Sequence, residues 1–248
     1  MRRAMKGGIR IGVAGWSLPK ALAANFPGDG SHLQRYARRL NCVEINSSFY
    51  RPHTPATYAR WAADVPEAFR FAVKMPKTIT HEARLQGAGR LLDAFLGEAG
   101  ALGDKLGCLL VQLPPSLVFE AAVAARFLRA LRRRYDGAMV CEARHASWFD
   151  STADEMLQRY RAGRVAADPA LVAAARIPGG DVEYAYFRLH GSPRMYYSTY
   201  SKKYLRALAR RLAAARAGGS DCWCIFDNTA LGAAIPNALH TMNLSEAH

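Results

Sequence analysis

The feature that most constrains this chain is a recurrence. Short, nearly continuous apolar runs return about every 30 residues, the length of one strand–helix unit with its loops. Eight are present, at 9–14 (IRIGVA), 42–46 (CVEIN), 70–74 (RFAVK), 107–112 (GCLLVQ), 138–142 (AMVCE), 164–167 (RVAA), 184–189 (YAYFRL) and 222–226 (CWCIF). Continuous hydrophobicity marks strands covered on both faces, as in parallel sheets. Amphipathic helical spacing fills the intervals. Ser31 is placed to cap a helix running to Arg39, and Thr54 with Pro55 to open one ending near Ala63. Further helical patterns cover 88–102, 118–134, 152–161, 169–176, 202–216 and 230–243. Eight such units account for nearly all 248 residues. The expected fold is therefore α/β, a single TIM-like (β/α)8 barrel forming one domain over 1–248. The weakest unit is 164–183, where the sixth strand is short and its helix stops at Ile177-Pro178-Gly179-Gly180.

A doubly wound open sheet would suit the same alternation, yet no Gly-x-Gly-x-x-Gly turn follows the first strand and no P-loop occurs; no cofactor is expected. Half the residues are hydrophobic and 22% are charged, which excludes disordered and collagen-like classes. Five cysteines, an odd number spread through strand-like runs, read as reduced thiols packed as small hydrophobes. Cys222 and Cys224 share a strand face, but no second pair follows at zinc-site spacing, so no structural metal is expected. No apolar run approaches the roughly 18 residues of a membrane span. Met1-Arg-Arg-Ala-Met-Lys leads straight into the first strand rather than into a signal-peptide core. The expectation is a cytoplasmic protein without a membrane partner; the sequence sets no oligomeric state.

The formal net charge is +14, from 34 Lys and Arg against 20 Asp and Glu, and 27 of the 34 are Arg. Such an excess favours anionic partners, from small phosphates to nucleic acid. It also suits a compositional bias in which Arg126, Arg129, Arg132 and Arg133 occupy a solvated helix face.

In a parallel barrel, chemistry gathers at the carboxyl ends of the strands. The polar residues that end the eight runs are Trp16; Glu44, Asn46 and Tyr50; Lys74 and His81; Gln112; Glu142, Arg144, His145 and Trp148; Asp168; Arg188 and His190; and Asp227 and Asn228. Residues two apart share a strand face, so Glu44 and Asn46 point together, as do Glu142 and Arg144, and Arg188 and His190. Charged groups inside apolar strands demand partners. A buried network of carboxylates and cations at one mouth follows, whether structural or catalytic.

These stretches resemble the DUF72, or YecE-like (UPF0759), family. The resemblance rests on GVAGWS at 12–17, VEINSSFY at 43–50, FAVKMPKTITH at 71–81, GCLLVQLPPS at 107–116, CEARHASW at 141–148, YFRLHGS at 186–192 and FDNTALGAAIPNA at 226–238, nearly the whole chain. It implies a single-domain TIM barrel with a polar pocket at its mouth and supplies no reaction. The pocket positions it implies are Trp16, Glu44, Asn46, Tyr50, Lys74, His81, Gln112, Glu142, Arg144, His145, Trp148, Arg188, His190 and Asn228. Phe-Asp-Asn at 226–228 departs from the aromatic that often precedes this Asn in the family.

The leading functional expectation is an enzyme acting on a small anionic, phosphorylated or carboxylated sugar-like molecule. Arg188 and Lys74 hold the anion, Glu142 serves as general base, His190 or Glu44 donates a proton, and Trp16, Tyr50 and Trp148 wall the pocket. Two alternatives stand beside it. Glu44, Glu142, His145, His190 and Asp227 are ligand types for a divalent-metal hydrolase or isomerase, although Lys74, Arg144 and Arg188 crowd the same mouth. A nucleic-acid protein would use the arginine-rich helix with Tyr196, Tyr197 and Tyr200 as stacking platforms. Packing is expected to occupy Trp61 and Trp223, His53 to lie in a loop, and His32, His240 and His248 to lie on exposed helices or at the terminus. Alternation turns Cys141 away from the interior, which makes it a poor nucleophile.

Overall fold

The computed structural model describes residues 8–246, so the basic lead at 1–7 and His248 lie outside the described residues. Among these residues, ten strands build a mixed α/β fold with two largely parallel sheets. The first runs β1 (Ile9–Val13), β10 (Asp221–Phe226), β9 (Tyr184–Leu189), β7 (Ala166–Asp168). The second runs β2 (Cys42–Ile45), β3 (Arg70–Lys74), β4 (Leu106–Gln112), β5 (Met139–Glu142), β6 (Ala162–Arg164), β8 (Gly179–Gly180). Every pairing is parallel except β6 with β8.

The ladders do not close into the expected barrel, and each of the two seams has a local cause. At the first, β1 and β2 share one isolated bridge, Ala14 with Glu44. Side chains replace the missing ladder: Tyr36 accepts from Val13 N and donates to Cys42 O, both at 2.9 Å. Asn41 accepts from Ile11 N at 2.8 Å and donates to Ile9 O at 2.9 Å. Gly12 permits this approach, because a Cβ there would stand 2.1 Å from Cys42 O. At the second seam the sixth strand is split at Val165, β6 staying with β5 and β7 passing to β9. The Gly179-Gly180 strand takes the free edge of β6. Gly180 sits at φ +63 with Ala162 O 2.5 Å from where a Cβ would be, so only glycine fits this edge.

Eight α-helices form among the described residues, α1 (His32–Tyr36), α2 (Ser47–Tyr50), α3 (Pro55–Ala63), α4 (Gly89–Ala99), α5 (Ala121–Arg132), α6 (Ser151–Arg159), α7 (Lys202–Ala217) and α8 (Ala234–Glu246); all but the one-turn α2 follow the sequence pattern. Ser31 caps α1 in a full capping box with Gln34, and Thr54 caps α3 ahead of Pro55. The helix expected over 169–176 is absent; only a 3-10 turn, Ala173–Arg176, forms there. A cavity of about 410 Å³ opens on the outer face of β7 and β9, between Phe187, Leu189, Tyr204 and Arg211.

Strand alternation divides the apolar interior into two layers. Val43, Ile45, Phe71, Val73, Cys141, Phe187 and Leu189 pack outward under the helices. Cys42, Ala72, Cys108, Leu110, Val140, Tyr186, Trp223 and Ile225 fill the space between the sheets. All five cysteines are buried and free, and burial pushes the Cys141 thiol up to about 12. Much of the arginine excess clamps loops. Arg35, Arg38 and Arg39 donate to carbonyls between Ala23 and Asp29, and Arg132 to those of Tyr135, Gly137, Tyr160 and Arg161. Among the described residues no helix is long and apolar enough to cross a membrane.

Tyr36→Phe is expected to cost about 1–3 kcal/mol in denaturant unfolding with an unchanged m-value, because it strips a buried donor and a buried acceptor of their partner. A cost below a few tenths would show that the hydroxyl does not carry the β1–β2 seam.

Candidate active site

Five strands, β2, β3, β5, β9 and β10, each bring an inward-facing charged residue to the carboxyl end because the alternation that buries Cys42, Ala72, Val140, Tyr186 and Ile225 between the sheets carries on two residues later. Glu44, Lys74, Glu142, Arg188 and Asp227 thus lie above an apolar floor. Arg188 is at the centre and 1% exposed. Its Nε donates to Glu44 Oε2 at 3.0 Å and its Nη2 to Glu44 Oε1 at 2.6 Å, a forked pair. Nη1 reaches Glu142 Oε2 at 2.9 Å, and Nη2 also lies 3.1 Å from Asp227 Oδ2. Tyr186 donates its hydroxyl to Glu44 Oε2 at 2.8 Å.

His190 continues the network. Its Nδ1 is 3.0 Å from Asp227 Oδ2 and its Nε2 is 2.8 Å from Glu142 Oε1. Arg144 Nη2 lies 3.0 Å from both Glu142 Oε1 and His190 Nε2. A ring carrying both hydrogens satisfies the two carboxylates; a ring carrying one lets Nε2 accept from Arg144. Burial works against ionisation of Glu142, but Arg188, Arg144 and His190 outweigh it and hold the carboxyl well below the usual range. Asp227 follows the same pattern, burial being overcome by Arg188 and His190. The three carboxylates that would ligate a metal grip a guanidinium instead, and among the described residues no group of three His, Cys, Asp or Glu has metal-binding geometry.

Lys74 is different. It is 7% exposed, yet among the described residues its ammonium has no hydrogen bond and no ion pair; it lies over the Phe49 ring, 4.1 Å from Nζ to the centroid. Burial, joined by repulsion from Arg188, lowers its pKa to about 8, against the partial pull of Glu44, Glu142 and Asp227. His81 stacks edge-on to Phe49 at 4.9 Å, and burial and then Lys74 lower its pKa as well.

The remaining expected positions divide. Asn46 has a buried Oδ1 without a partner, Arg144 a buried Nε, and Asn228 a buried Oδ1. Asn228 Nδ2 donates to Ser198 O and Asn237 Oδ1. Gln112 ends β4 beside Glu142, half-buried. His145 Nδ1 accepts from Ser147 N, capping the turn at Ala146–Phe149. Trp148 is buried with its indole N–H given to Leu117 O, and Trp16 packs edge-on against Trp61 at 5.0 Å, so both are packing residues. Tyr50 is 71% exposed and walls nothing buried. Arg188, expected to hold an anion, has all three of its guanidinium nitrogens engaged by carboxylates. Tyr200 is buried, donating to Asp168 Oδ1, which removes it as a stacking platform, whereas Tyr196 stands edge-on to His190 at 5.9 Å. Two members of the cluster have no role assigned from the sequence, Tyr186 and Phe49, and Asp227 has one only as a candidate metal ligand. Alternation places Tyr186 on the face of Arg188, a signal that was available; Phe49 reaches Lys74 only through the turn of α2.

Fold and site together define a largely parallel α/β protein with a cluster of buried ionisable side chains at its strand carboxyl ends. The chain belongs to the DUF72 family, whose model, described as a protein of unknown function, matches residues 10–248. It is similar to the UPF0759 protein YecE of Escherichia coli K12, 32% identical over 174 residues, 68% of this chain and 62% of YecE. The UPF0759 protein YunF of Bacillus subtilis is 26% identical over 147 residues, 57% of this chain and 52% of YunF. The matches thus span less than two thirds of these relatives. Crystal structures of DUF72 family proteins share the fold: one from Enterococcus faecalis V583 superposes with a TM-score of 0.81 at 22% identity over 96% of each chain. One from Thermotoga maritima MSB8 gives 0.79 at 23% identity, over 96% of this chain and 99% of its own.

Arg188→Met leaves three buried carboxylates without their cation and is expected to cost about 3–5 kcal/mol in unfolding free energy. Arg188→Lys restores only part, since an ammonium cannot fork onto Glu44. Wild-type stability in Arg188→Met would contradict the arrangement. A lowered lysine pKa means that the unfolded state binds the proton more tightly, so the charge costs stability below pH 8 and the cost vanishes as pH rises through the unfolded value. Lys74→Met should therefore be more stable than wild type at pH 7, by about 3 kcal/mol at most. The gap should close between pH 8 and about 10.5; a gap that does not change with pH would refute the assignment.

Proposed function

We propose that this protein is an enzyme that acts on a small anionic molecule by proton transfer at the strand carboxyl ends. One observation carries the reading: a buried ammonium, Lys74, has no carboxylate partner although three carboxylates share its site, each committed to Arg188. A buried charge left unpaired is costly, and an anionic ligand supplies the missing counter-charge.

Access supports a small ligand. Glu44, Glu142, Arg188 and His190 are at most 1% exposed in their side chains, whereas Arg144 is 18% and Asp227 11% exposed. A ligand arriving from solvent meets Arg144, Asp227 and Lys74 first. Lys74 and Arg144 hold its phosphate or carboxylate. His190, fixed by Asp227 at Nδ1, moves the proton at Nε2, and Glu142 orients the ring and steadies its charged form. This reading treats 1–248 as one domain and the two sheets as one TIM-like barrel with two thin seams, a view supported by β1 lying against β2 and β6 against β9.

Inorganic phosphate is the simplest probe. It should raise the melting temperature of the wild type in a saturable manner, as any ligand bound only by the folded state must. Lys74→Met should abolish the rise and Arg144→Met weaken it. An unresponsive wild type, or an undiminished response in Lys74→Met, would defeat the reading.

A further inference from the structure

The state of Lys74 points past simple anion binding. An amine kept for ion pairing would be held by Glu44, Glu142 or Asp227, which all act on it electrostatically, yet none lies within ion-pair distance of it. Arg188 has taken them. What remains is a largely buried primary amine at the end of β3, over an aromatic face, acted on by the same Glu142 and Asp227 that bracket His190. A lysine freed from carboxylates and largely removed from water is the form in which the side chain acts as a nucleophile.

We propose that Lys74 forms a Schiff base with a small aldehyde or ketone that also carries a carboxylate or phosphate. This rests on the anion-binding reading above and adds the carbonyl to its substrate class. The lone pair of Nζ attacks the carbonyl carbon, and the electrons of the C=O bond pass to oxygen, which takes up the proton lost by nitrogen. In the second stage the carbinolamine oxygen receives a proton from His190, the C–O bond breaks, water leaves, and the nitrogen lone pair closes the C=N bond. Amine, carbonyl and the His190 proton give the protonated imine and water, and return of the N–H proton to His190 leaves the neutral imine, with no change of oxidation state.

Three features of the site serve this step. A useful fraction of the amine is unprotonated near neutral pH, given a value of about 8. The Phe49 face, 4.1 Å from Nζ, stabilises a cation there and so suits the protonated imine as well as the ammonium. Arg144, partly exposed and with a buried Nε lacking any partner, is the cation left to hold the anionic end once Lys74 is committed to the carbonyl. His81 and Glu82 approach from the turn after β3, and His81 adds no fixed negative charge that would trap the amine.

The experiment uses glyoxylate, an aldehyde bearing a carboxylate, with sodium cyanoborohydride and the full-length protein at pH 7.5. Peptide mapping should find one carboxymethyl group on Lys74, formed at least about ten times faster than on Lys77, a lysine of ordinary exposure three residues away. Lys74→Arg should show no fast adduct. Phosphate should slow the labelling of Lys74 and not that of Lys77. Stabilisation by glyoxylate without an adduct on Lys74 overturns the Schiff base and leaves the anion-binding reading standing. Neither stabilisation nor adduct removes both. Equal labelling of Lys74 and Lys77 also overturns the proposal, since it marks an unselective amine.

Discussion

Arg188 is the constraint on which the rest depends. A guanidinium at 1% exposure carries a heavy desolvation cost, and here it is offset by three carboxylates rather than one. Those carboxylates come from both sheets. Arg188 lies on β9 and Asp227 follows β10, whereas Glu44 and Glu142 sit on β2 and β5. The cluster therefore joins the two sheets at their carboxyl ends, where the backbone ladders between them are thin. Tyr36 and Asn41 do the same work at the β1–β2 seam. Structure and chemistry are not separable at this site, because the charges that hold the sheets together also set the protonation of everything around them.

The consequence for chemistry is an inversion of the expected roles. Glu142, surrounded by Arg188, Arg144 and His190, keeps its charge and loses its appetite for protons. It is better suited to orient His190 than to abstract a proton itself. Lys74, left outside the pairing, holds its proton loosely. Lys74 is thus the group whose pKa is brought toward neutrality, while Glu142, Asp227 and Arg188 form a fixed electrostatic frame.

Much of this was legible in the sequence. Period-two alternation placed Glu44, Glu142, Arg188 and His190 on inward faces, and the cost of burying charge required them to meet. Less legible were the features set by side chains reaching across the fold. Nothing local shows that Tyr36 and Asn41 substitute for a ladder, or that Arg188 takes all three carboxylates and leaves Lys74 none. The sixth unit failed where its own sequence is weakest: Ile177-Pro178-Gly179-Gly180 forms an edge strand in place of a helix end. Trp148 and Tyr50 show the opposite error, since a place near a strand end says little about exposure when the following turn decides the direction of the ring.

The central claim is that the carboxylates of this site are spent on Arg188, so that the Lys74 amine stands unpaired. The most direct measurement is an NMR titration of the lysine side chains, with Lys74 assigned by its loss in Lys74→Arg. A midpoint near 8 for Lys74 is the expected result. A midpoint at or above the ordinary lysine value of about 10.4 would mean that a carboxylate holds the ammonium after all, and would contradict the account.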